Sequence, residues 1–229
     1  MDQHQPIPIT ITQNLNEWFQ VELTYTSNAL EGNTLTRQET AQVIEKGITI
    51  GGKSLREHLE ATNHAKAWNW ILENQTQPIN EETILTIHRI ILAGIEDTQA
   101  GRYRQVPVRI SGSTVILPNY LKVPTLMAEF ANWLTESKND HPVTIAAEAH
   151  YHLVTIHPFI DGNGRTARLL MNAILMTNGY PPAIIKPEER ITYINNLETA
   201  QLGGPKEPFH TLIQNSVMRS LDIYLESLA

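Results

Sequence analysis

Helix start signals recur along this sequence and restrict the folds open to it. Thr36 to Glu39 and Ser54 to Glu57 both follow the Ser/Thr-x-x-Glu pattern, in which the first and fourth residues cap each other. An amphipathic segment from Leu15 to Leu30 precedes them, and apolar residues recur at helical spacing in most later segments. Asn80 is a further N-cap candidate, and later helices are predicted at 124–137, 142–156, 165–177, 187–200 and 208–228. The pattern predicts an all-α fold.

One segment, residues 106–118, departs from the helical pattern. Val106, Val108 and Ile110 alternate with other residues, a Ser-Gly turn follows, and a second apolar stretch runs to Leu117. Such alternation around a short turn is typical of a β-hairpin. Because an isolated hairpin contributes little to a core, we expect a functional loop on a helical body.

The composition excludes several classes of protein. The 229 residues carry a formal net charge of −7, which disfavours a nucleic-acid partner. The chain has no cysteine, so disulfides and thiolate catalysis are excluded. No apolar run reaches membrane-spanning length, and residues 1–16 lack the basic and apolar regions of a signal peptide. We expect a cytoplasmic protein of one domain, residues 1–229, with no membrane partner.

The twelve residues from His157 to Arg168 concentrate groups that bind anions. Gly162-Asn163-Gly164 precedes a predicted helix, so unpaired backbone N–H groups and the positive end of the helix can meet an anion there. Arg165 lies one helical turn before Arg168, and the two guanidinium groups can converge on neighbouring phosphates. Phe159 is the apolar residue of this polar turn and is predicted to point inward.

The same segment also supplies a candidate base and a candidate metal ligand. Asp161 offers hard oxygen atoms suited to Mg²⁺, and His157 can take a proton from a hydroxyl group near neutral pH. Each feature alone is more often structural, but together they indicate phosphoryl or nucleotidyl transfer. His150 and His152 suggest a metal site at first sight. However, the carboxylate spacing of zinc hydrolases is absent, so we predict packed or capping histidines.

These twelve residues resemble the Fic family signature, His-x-Phe-x-(Asp/Glu)-Gly-Asn-Gly-Arg-x-x-Arg, at every fixed position. The resemblance covers roughly residues 15–215 and includes Gly101–Arg104, which is similar to the start of the family's flap. It implies a Fic-type helical bundle with a core at about 54–215 and one β-hairpin flap at 106–118. It also implies a protein adenylyltransferase, which moves AMP from ATP onto a hydroxyl side chain of a target protein.

The resemblance implies a role for each matching residue. His157 would deprotonate the target hydroxyl, Asp161 would hold Mg²⁺ on the α- and β-phosphates, and Arg168 would bind the γ-phosphate. Further ATP contacts would come from Gly162, Asn163, Gly164, Arg165, Tyr193 and Gln201, with Tyr193 and Gln201 lining the base pocket. An unidentified target protein would add a strand to the flap at Val108, Arg109, Ile110 and Ser111.

A second motif, Ser27-Asn-Ala-Leu-Glu31-Gly32, resembles the inhibitory motif of the family. The resemblance implies an inhibitory helix at about 12–33, with Glu31 paired to Arg168 so that the γ-phosphate loses its partner. Without the resemblance, the same residues would indicate only a helix that ends at glycine, with an exposed glutamate.

Several alternatives stay open on the sequence alone. With Glu31 intact, the site could remove AMP by orienting a water molecule, as a de-AMPylating hydrolase. Transfer of phosphate or phosphocholine suits the same scaffold, although Gly162–Arg165 has the form associated with AMP transfer and the phosphate-transferring relatives depart from it. A nucleotide-binding regulatory or toxin-like module without turnover is disfavoured by the intact His157 and Asp161. The long exposed helices would also allow a homodimer.

Overall fold

The computed structural model describes residues 8–137 and 140–228. Residues 1–7, part of the segment expected to lack a targeting signal, lie outside the described residues. Within the described ranges the chain forms nine α-helices and no strand, with 3₁₀ helices at Tyr120–Lys122 and Pro187–Glu189. The α-helices are α1 (Ile9–Leu30), α2 (Arg37–Lys46), α3 (Leu55–Glu73), α4 (Glu81–Leu92), α5 (Val123–Glu136), α6 (Pro142–Ile156), α7 (Asn163–Thr177), α8 (Arg190–Gln201) and α9 (Glu207–Glu226).

The helix starts follow from the capping residues seen in the sequence. Thr36 and Ser54 each accept the backbone N–H three residues on, and Glu39 and Glu57 return the bond, so both predicted capping boxes are confirmed. Asn80 makes the same reciprocal arrangement at the start of α4. The all-helical prediction is therefore confirmed for the described part of the chain.

Helix α7 forms the centre of the bundle. Every residue from Asn163 to Leu175 except Gly164 is buried. α6 packs along one side of α7, and α5 and α9 pack on α6, whereas α1, α3 and α4 cover other sides of α7. A helix buried all round is held rigidly. The turn that leads into α7 is therefore fixed by the core.

Helix α1 changes character along its length. Up to Leu23 it packs apolar side chains, including Leu15 and Phe19, into a cluster with Trp68 of α3. Its last turns instead bury polar side chains: Thr24, Thr26, Ser27 and Asn28. Buried polar groups need hydrogen-bond partners, so the end of α1 depends on specific contacts with the bundle.

Residues 106–118 do not form the predicted β-hairpin, and no strand is assigned to them. The turn is present, since the Ser113 N–H donates to the Ile110 carbonyl at 3.2 Å. The Thr114 N–H donates to the Glu198 carboxylate at 3.0 Å rather than to the opposite arm. Pro107 has no N–H to offer a ladder. The segment is an irregular loop on a helical body.

Among the described residues, no helix combines the length and the apolar character needed to cross a membrane.

Candidate active site

A cavity of about 510 Å³ lies at the N-terminus of α7. This volume lies in the range of small-molecule sites in proteins. The predicted site residues on its wall are Glu31, Ile110, Ser111, His157, Asp161, Asn163, Gly164, Arg168, Tyr193 and Gln201. The remaining predicted residues, Ser27, Val108, Arg109, Gly162 and Arg165, are not part of that wall. The fold thus gathers three separate regions of the chain around the signature turn.

His157 terminates α6 in a left-handed backbone conformation, with φ of 51°. Arg104, itself buried, fixes this turn because its Nε donates to the His157 carbonyl at 2.8 Å. The ring Nδ1 lies 3.4 Å from the Val154 carbonyl, so a proton on Nδ1 leaves Nε2 as the acceptor. Burial lowers the pKa of His157 to about 4. The ring is therefore neutral at pH 7 and can accept a proton.

The signature turn is held from inside by a side-chain amide. Asn163 accepts the Phe159 N–H through Oδ1 and donates to the Phe159 carbonyl through Nδ2, at 3.0 and 2.9 Å. Phe159 is fully buried, as predicted, and stacks on His88 with ring centroids 3.6 Å apart. His88 accepts the Gly101 N–H at Nδ1, so its Nε2 donates to the Asp161 carbonyl at 3.0 Å. The sequence indicated no partner for His88.

Gly164 leaves space that a carboxylate occupies. A β-carbon at this position would collide with Oε1 of Glu31 and lie 3.0 Å from NH1 of Arg168. A negatively charged group therefore sits against the first turn of α7, where the helix end favours an anion. The anion site inferred from the glycines is consistent with this placement.

Asp161 is bound by two arginines. Its Oδ1 accepts from the Gly162 N–H at 2.6 Å and from Arg165 at 3.2 Å, and its Oδ2 accepts from Arg56 at 2.6 Å. Burial alone would raise the pKa of Asp161, but these cations and the backbone N–H hold it below its ordinary value. Arg165 is buried and also pairs with Glu60 at 3.3 Å. Arg165 thus faces carboxylates beside the cavity.

The side chain of Asp161 is 43% exposed and can serve as a single metal ligand. No group of three histidine, cysteine or acidic residues in the described ranges could hold a metal ion by itself. Mg²⁺ is commonly bound by one or two carboxylates together with substrate phosphates. The donor set therefore fits a Mg²⁺ ion that arrives with a nucleotide.

Arg168 is hydrogen-bonded to the C-terminal end of α1. Its NH2 donates to Glu31 Oε1 at 2.6 Å and to the Ser27 carbonyl at 3.0 Å, and its Nε donates to the Ser27 hydroxyl at 2.9 Å. Burial opposes the charge on Arg168, but the Glu31 carboxylate outweighs this and raises its pKa. Both residues of the Ser27–Glu31 motif therefore contact the second signature arginine.

Helix α8 closes the far side of the cavity. The Tyr193 hydroxyl lies 3.4 Å from Arg168 NH1 and 2.9 Å from Nε2 of His150. His150 is fully buried, which confirms that it is a packed residue. Gln201 donates its amide to the Val154 carbonyl at 3.3 Å.

Two supporting residues had no sequence signal. Glu198 of α8 accepts the Ser113 hydroxyl at 2.8 Å and so ties the loop over the cavity, across 85 positions of sequence. Glu60 of α3 pairs with Arg56 and Arg165, and also accepts from the Asn33 amide at 3.0 Å. Except for the i,i+4 pair Arg56–Glu60, these contacts join segments far apart in the chain, which neither periodicity nor local spacing can indicate.

One cavity is therefore lined by a neutral imidazole, a carboxylate, a helix N-terminus and a buried arginine. These groups suit phosphoryl or nucleotidyl transfer.

The chain is similar to known proteins in both sequence and fold. The model of the Fic/DOC family matches residues 78–175. A protein adenylyltransferase Fic from Drosophila grimshawi is 40% identical over 205 residues, which are 88% of this chain and 42% of the relative.

Two solved structures resemble the whole fold. Fic-1 from C. elegans has a TM-score of 0.87 and 33% sequence identity, and the match covers 99% of this chain and 69% of that chain. A Fic domain containing signaling protein from Bacteroides thetaiotaomicron has a TM-score of 0.90 and 28% identity, with 99% and 94% covered. The chain therefore belongs to the Fic/DOC family. It spans less than half the length of the Drosophila relative.

Proposed function

We propose that this chain is a protein adenylyltransferase that transfers AMP from ATP to a hydroxyl side chain of a target protein. One observation carries the proposal: a single cavity joins His157, Asp161, the N-terminus of α7 and Arg168. The similarity to relatives named as protein adenylyltransferases supports it.

In the proposed reaction, His157 acts as the general base. Its neutral Nε2 takes the proton of the target hydroxyl, and the hydroxyl oxygen forms a bond to the α-phosphorus of ATP. The bond from that phosphorus to the bridging oxygen breaks, and pyrophosphate leaves with the electron pair. The burial that lowers the pKa of His157 keeps the ring unprotonated at pH 7, as this step requires.

The phosphates need positive partners in the same cavity. The N–H groups around Gly164 and the guanidinium of Arg168 are the groups of this chain that would hold them. Asp161 is the residue that would hold Mg²⁺, and the ion would supply further positive charge to the phosphates when bound. Within the part of the chain that the structure describes, Oδ2 of Asp161 accepts from Arg56 alone and keeps a second lone pair, which is the position a cation would use.

The target protein would dock on the loop at 106–118. Ile110 and Ser111 line the cavity, whereas Val106 and Ile116 expose 48% and 90% of their surface. No backbone–backbone hydrogen bond from a described residue holds Val108 or Arg109, so their backbone groups would pair with an extended segment of another protein. Such pairing would convert the loop into the hairpin edge that the sequence predicts, with Val108 and Arg109 at its centre.

Glu31 would act as a built-in brake. Its carboxylate holds Arg168 and occupies the space in front of Gly164, and both positions are needed by the γ-phosphate in the proposed complex. The phosphate would lose a cation and meet a like charge. ATP could then bind only in a pose unsuited to attack.

A second candidate, removal of AMP from a modified protein, has one observation in its favour. Glu31 and His157 line the same cavity, and only Oε1 of the carboxylate is bound to Arg168. The second oxygen could orient a water molecule towards the phosphorus. This activity requires Glu31, whereas AMP transfer is restrained by it, so one substitution separates the two.

The test is incubation with α-labelled ATP, Mg²⁺ and a cell lysate as a source of targets. We expect protein labelling roughly 5- to 30-fold stronger with Glu31→Gly than with the parent, because the partly exposed Glu31–Arg168 ion pair contributes about 1–2 kcal/mol. Adding His157→Ala should abolish the label. If no variant labels any protein, AMP transfer is wrong. Release of labelled AMP from pre-labelled protein by the parent, lost in Glu31→Gly, would establish the second candidate.

A further inference from the structure

One nitrogen of Arg168 is not held by the brake. Glu31 and Ser27 bind NH2 and Nε, whereas NH1 faces the Tyr193 hydroxyl of α8 at 3.4 Å. A β-carbon at Gly164 would lie 3.0 Å from this same NH1. The nitrogen that Tyr193 contacts is therefore the one that borders the anion site at the start of α7.

Tyr193 is itself held from the core. Its hydroxyl lies 2.9 Å from Nε2 of His150, and Phe209 packs against both rings, with centroids 6.3 and 5.3 Å away. His150 belongs to α6, next to the central helix, so its position is set by the bundle. Burial lowers the pKa of His150 to about 3 and raises the pKa of Tyr193, so both groups are neutral at pH 7. The phenol can accept from Arg168 and donate to His150.

This buried pair is costly if it serves only packing. Burying polar groups is favourable only when their hydrogen bonds are satisfied, and Nδ1 of His150 has no partner among the described residues. Two apolar side chains of similar size would fill the same space without that cost. The contact that the pair provides, and an apolar pair would not, is the one to Arg168.

We propose that Tyr193, backed by His150, is a positioning residue that keeps Arg168 aimed at the γ-phosphate of ATP when Glu31 releases it. The inference rests on the proposed function, in which Arg168 binds that phosphate. It adds to the expectation that Tyr193 lines the base pocket, because it uses the hydroxyl, which contacts Arg168 and His150, and not the ring. Once Glu31 is released, Ser27 still holds Nε and NH2 of Arg168, and Tyr193 is the contact that supports the NH1 side of the guanidinium group, next to the anion site.

Two nucleotides that differ only in the γ-phosphate provide the test. ATP and ADP affinities are measured by calorimetry with Mg²⁺ in a Glu31→Gly, His157→Ala background, where the brake is absent and transfer is blocked. Tyr193→Phe should weaken ATP binding about 3- to 10-fold, equivalent to about 0.7–1.4 kcal/mol for one hydrogen bond. ADP affinity should change less than about twofold, because ADP does not use Arg168 in this way.

Tyr151→Phe is the matched control. Its hydroxyl also joins α6 to α8, by donating to the Ala200 carbonyl at 3.2 Å, but it does not contact Arg168. The control should leave both affinities unchanged. A second variant, Tyr193→Phe with His150→Leu, removes the unpaired buried nitrogen. It should recover the stability that Tyr193→Phe loses in urea unfolding but not the ATP affinity, since packing is repaired while Arg168 stays unsupported.

Equal weakening of ATP and ADP by Tyr193→Phe, or no weakening of either, would overturn the inference. Recovery of ATP affinity in the apolar double variant would also overturn it, because packing alone would then explain the effect. If the background variant binds ATP and ADP equally while Tyr193 is intact, the role of Arg168 in the proposed function is wrong. That outcome is distinguishable, since it appears before Tyr193 is changed.

Discussion

Replacing Glu31 with glutamine is expected to destabilise the protein without nucleotide while it releases the site. The substitution keeps the side-chain shape but removes the negative charge that binds Arg168 NH2 at 2.6 Å. Arg168 is buried, and its remaining partners, Ser27 and Tyr193, are neutral. A buried charge that loses its counter-charge costs free energy.

The expected loss of folding stability can be estimated from the exposure of the two side chains, which is 41% for Glu31 and 6% for Arg168. Fully exposed ion pairs contribute about 0.2–1 kcal/mol, whereas breaking a buried pair costs about 3–5 kcal/mol. Because the carboxylate is accessible to solvent, we place this pair between the two ranges and closer to the lower one, at about 1–2 kcal/mol. Removing a negative charge from the C-terminal end of α1 returns about 0.3–0.5 kcal/mol, and removing it from the N-terminal end of α7 costs about the same. The net expected loss is therefore about 1–2 kcal/mol, or about 2–8 °C in melting temperature.

Urea unfolding followed by circular dichroism measures this loss. Glu17→Gln is the matched control, since Glu17 is an exposed residue of α1 and should change stability by less than about 0.5 kcal/mol. Addition of ATP and Mg²⁺ should stabilise the Glu31→Gln variant more than the parent, because Arg168 becomes available. If the variant without nucleotide were as stable as the parent, or more stable, the reasoning from the buried arginine would be refuted.

Three further predictions concern the same cavity. In a Glu31→Gly background, kcat/KM for AMP transfer should rise with pH through about pH 4 and stay flat above pH 6. The reason is that burial favours the neutral form of His157, which is the base. An inflection near pH 6.5 would contradict this. Gly164→Ala should destabilise the parent by about 1 kcal/mol but not a Glu31→Gly variant, where the carboxylate it meets is gone; equal effects in urea unfolding would argue against the clash. Glu198→Ala should speed proteolytic cleavage within 106–118, because the Glu198 carboxylate holds Thr114. An unchanged cleavage rate would show that other contacts hold the loop.

Residues close together in sequence determine the helix starts and the chemistry of the signature turn. A capping box needs only a side chain and a backbone N–H three residues apart, so Thr36 and Ser54 could be assigned without any tertiary knowledge. The glycine-rich turn before α7 also rests on a local contact, between Asn163 and Phe159 four positions apart, but the sequence indicated only the anion site there and not this contact.

The predicted β-hairpin was wrong because strand pairing depends on contacts that are distant in sequence. Alternating apolar residues show which backbone could pair, but pairing depends on what else competes for its hydrogen bonds. Here the Glu198 carboxylate takes the Thr114 N–H, and α8 delivers that carboxylate from 84 positions away. Strand propensity at 106–118 could not reveal this competitor.

The long-range partners of the two signature arginines could not be worked out from their spacing. The spacing suggested that both could face one ligand, but Arg165 turns to Glu60 and to Asp161, four positions away. Arg168 meets Glu31 from 137 positions away, a pair that only the family resemblance implied. The sequence by itself determined which chemical groups are present and where helices begin, because those depend on local bonds. Which charge each group meets was decided by packing around α7, because burial forces every cation there to find a partner that the fold brings to it.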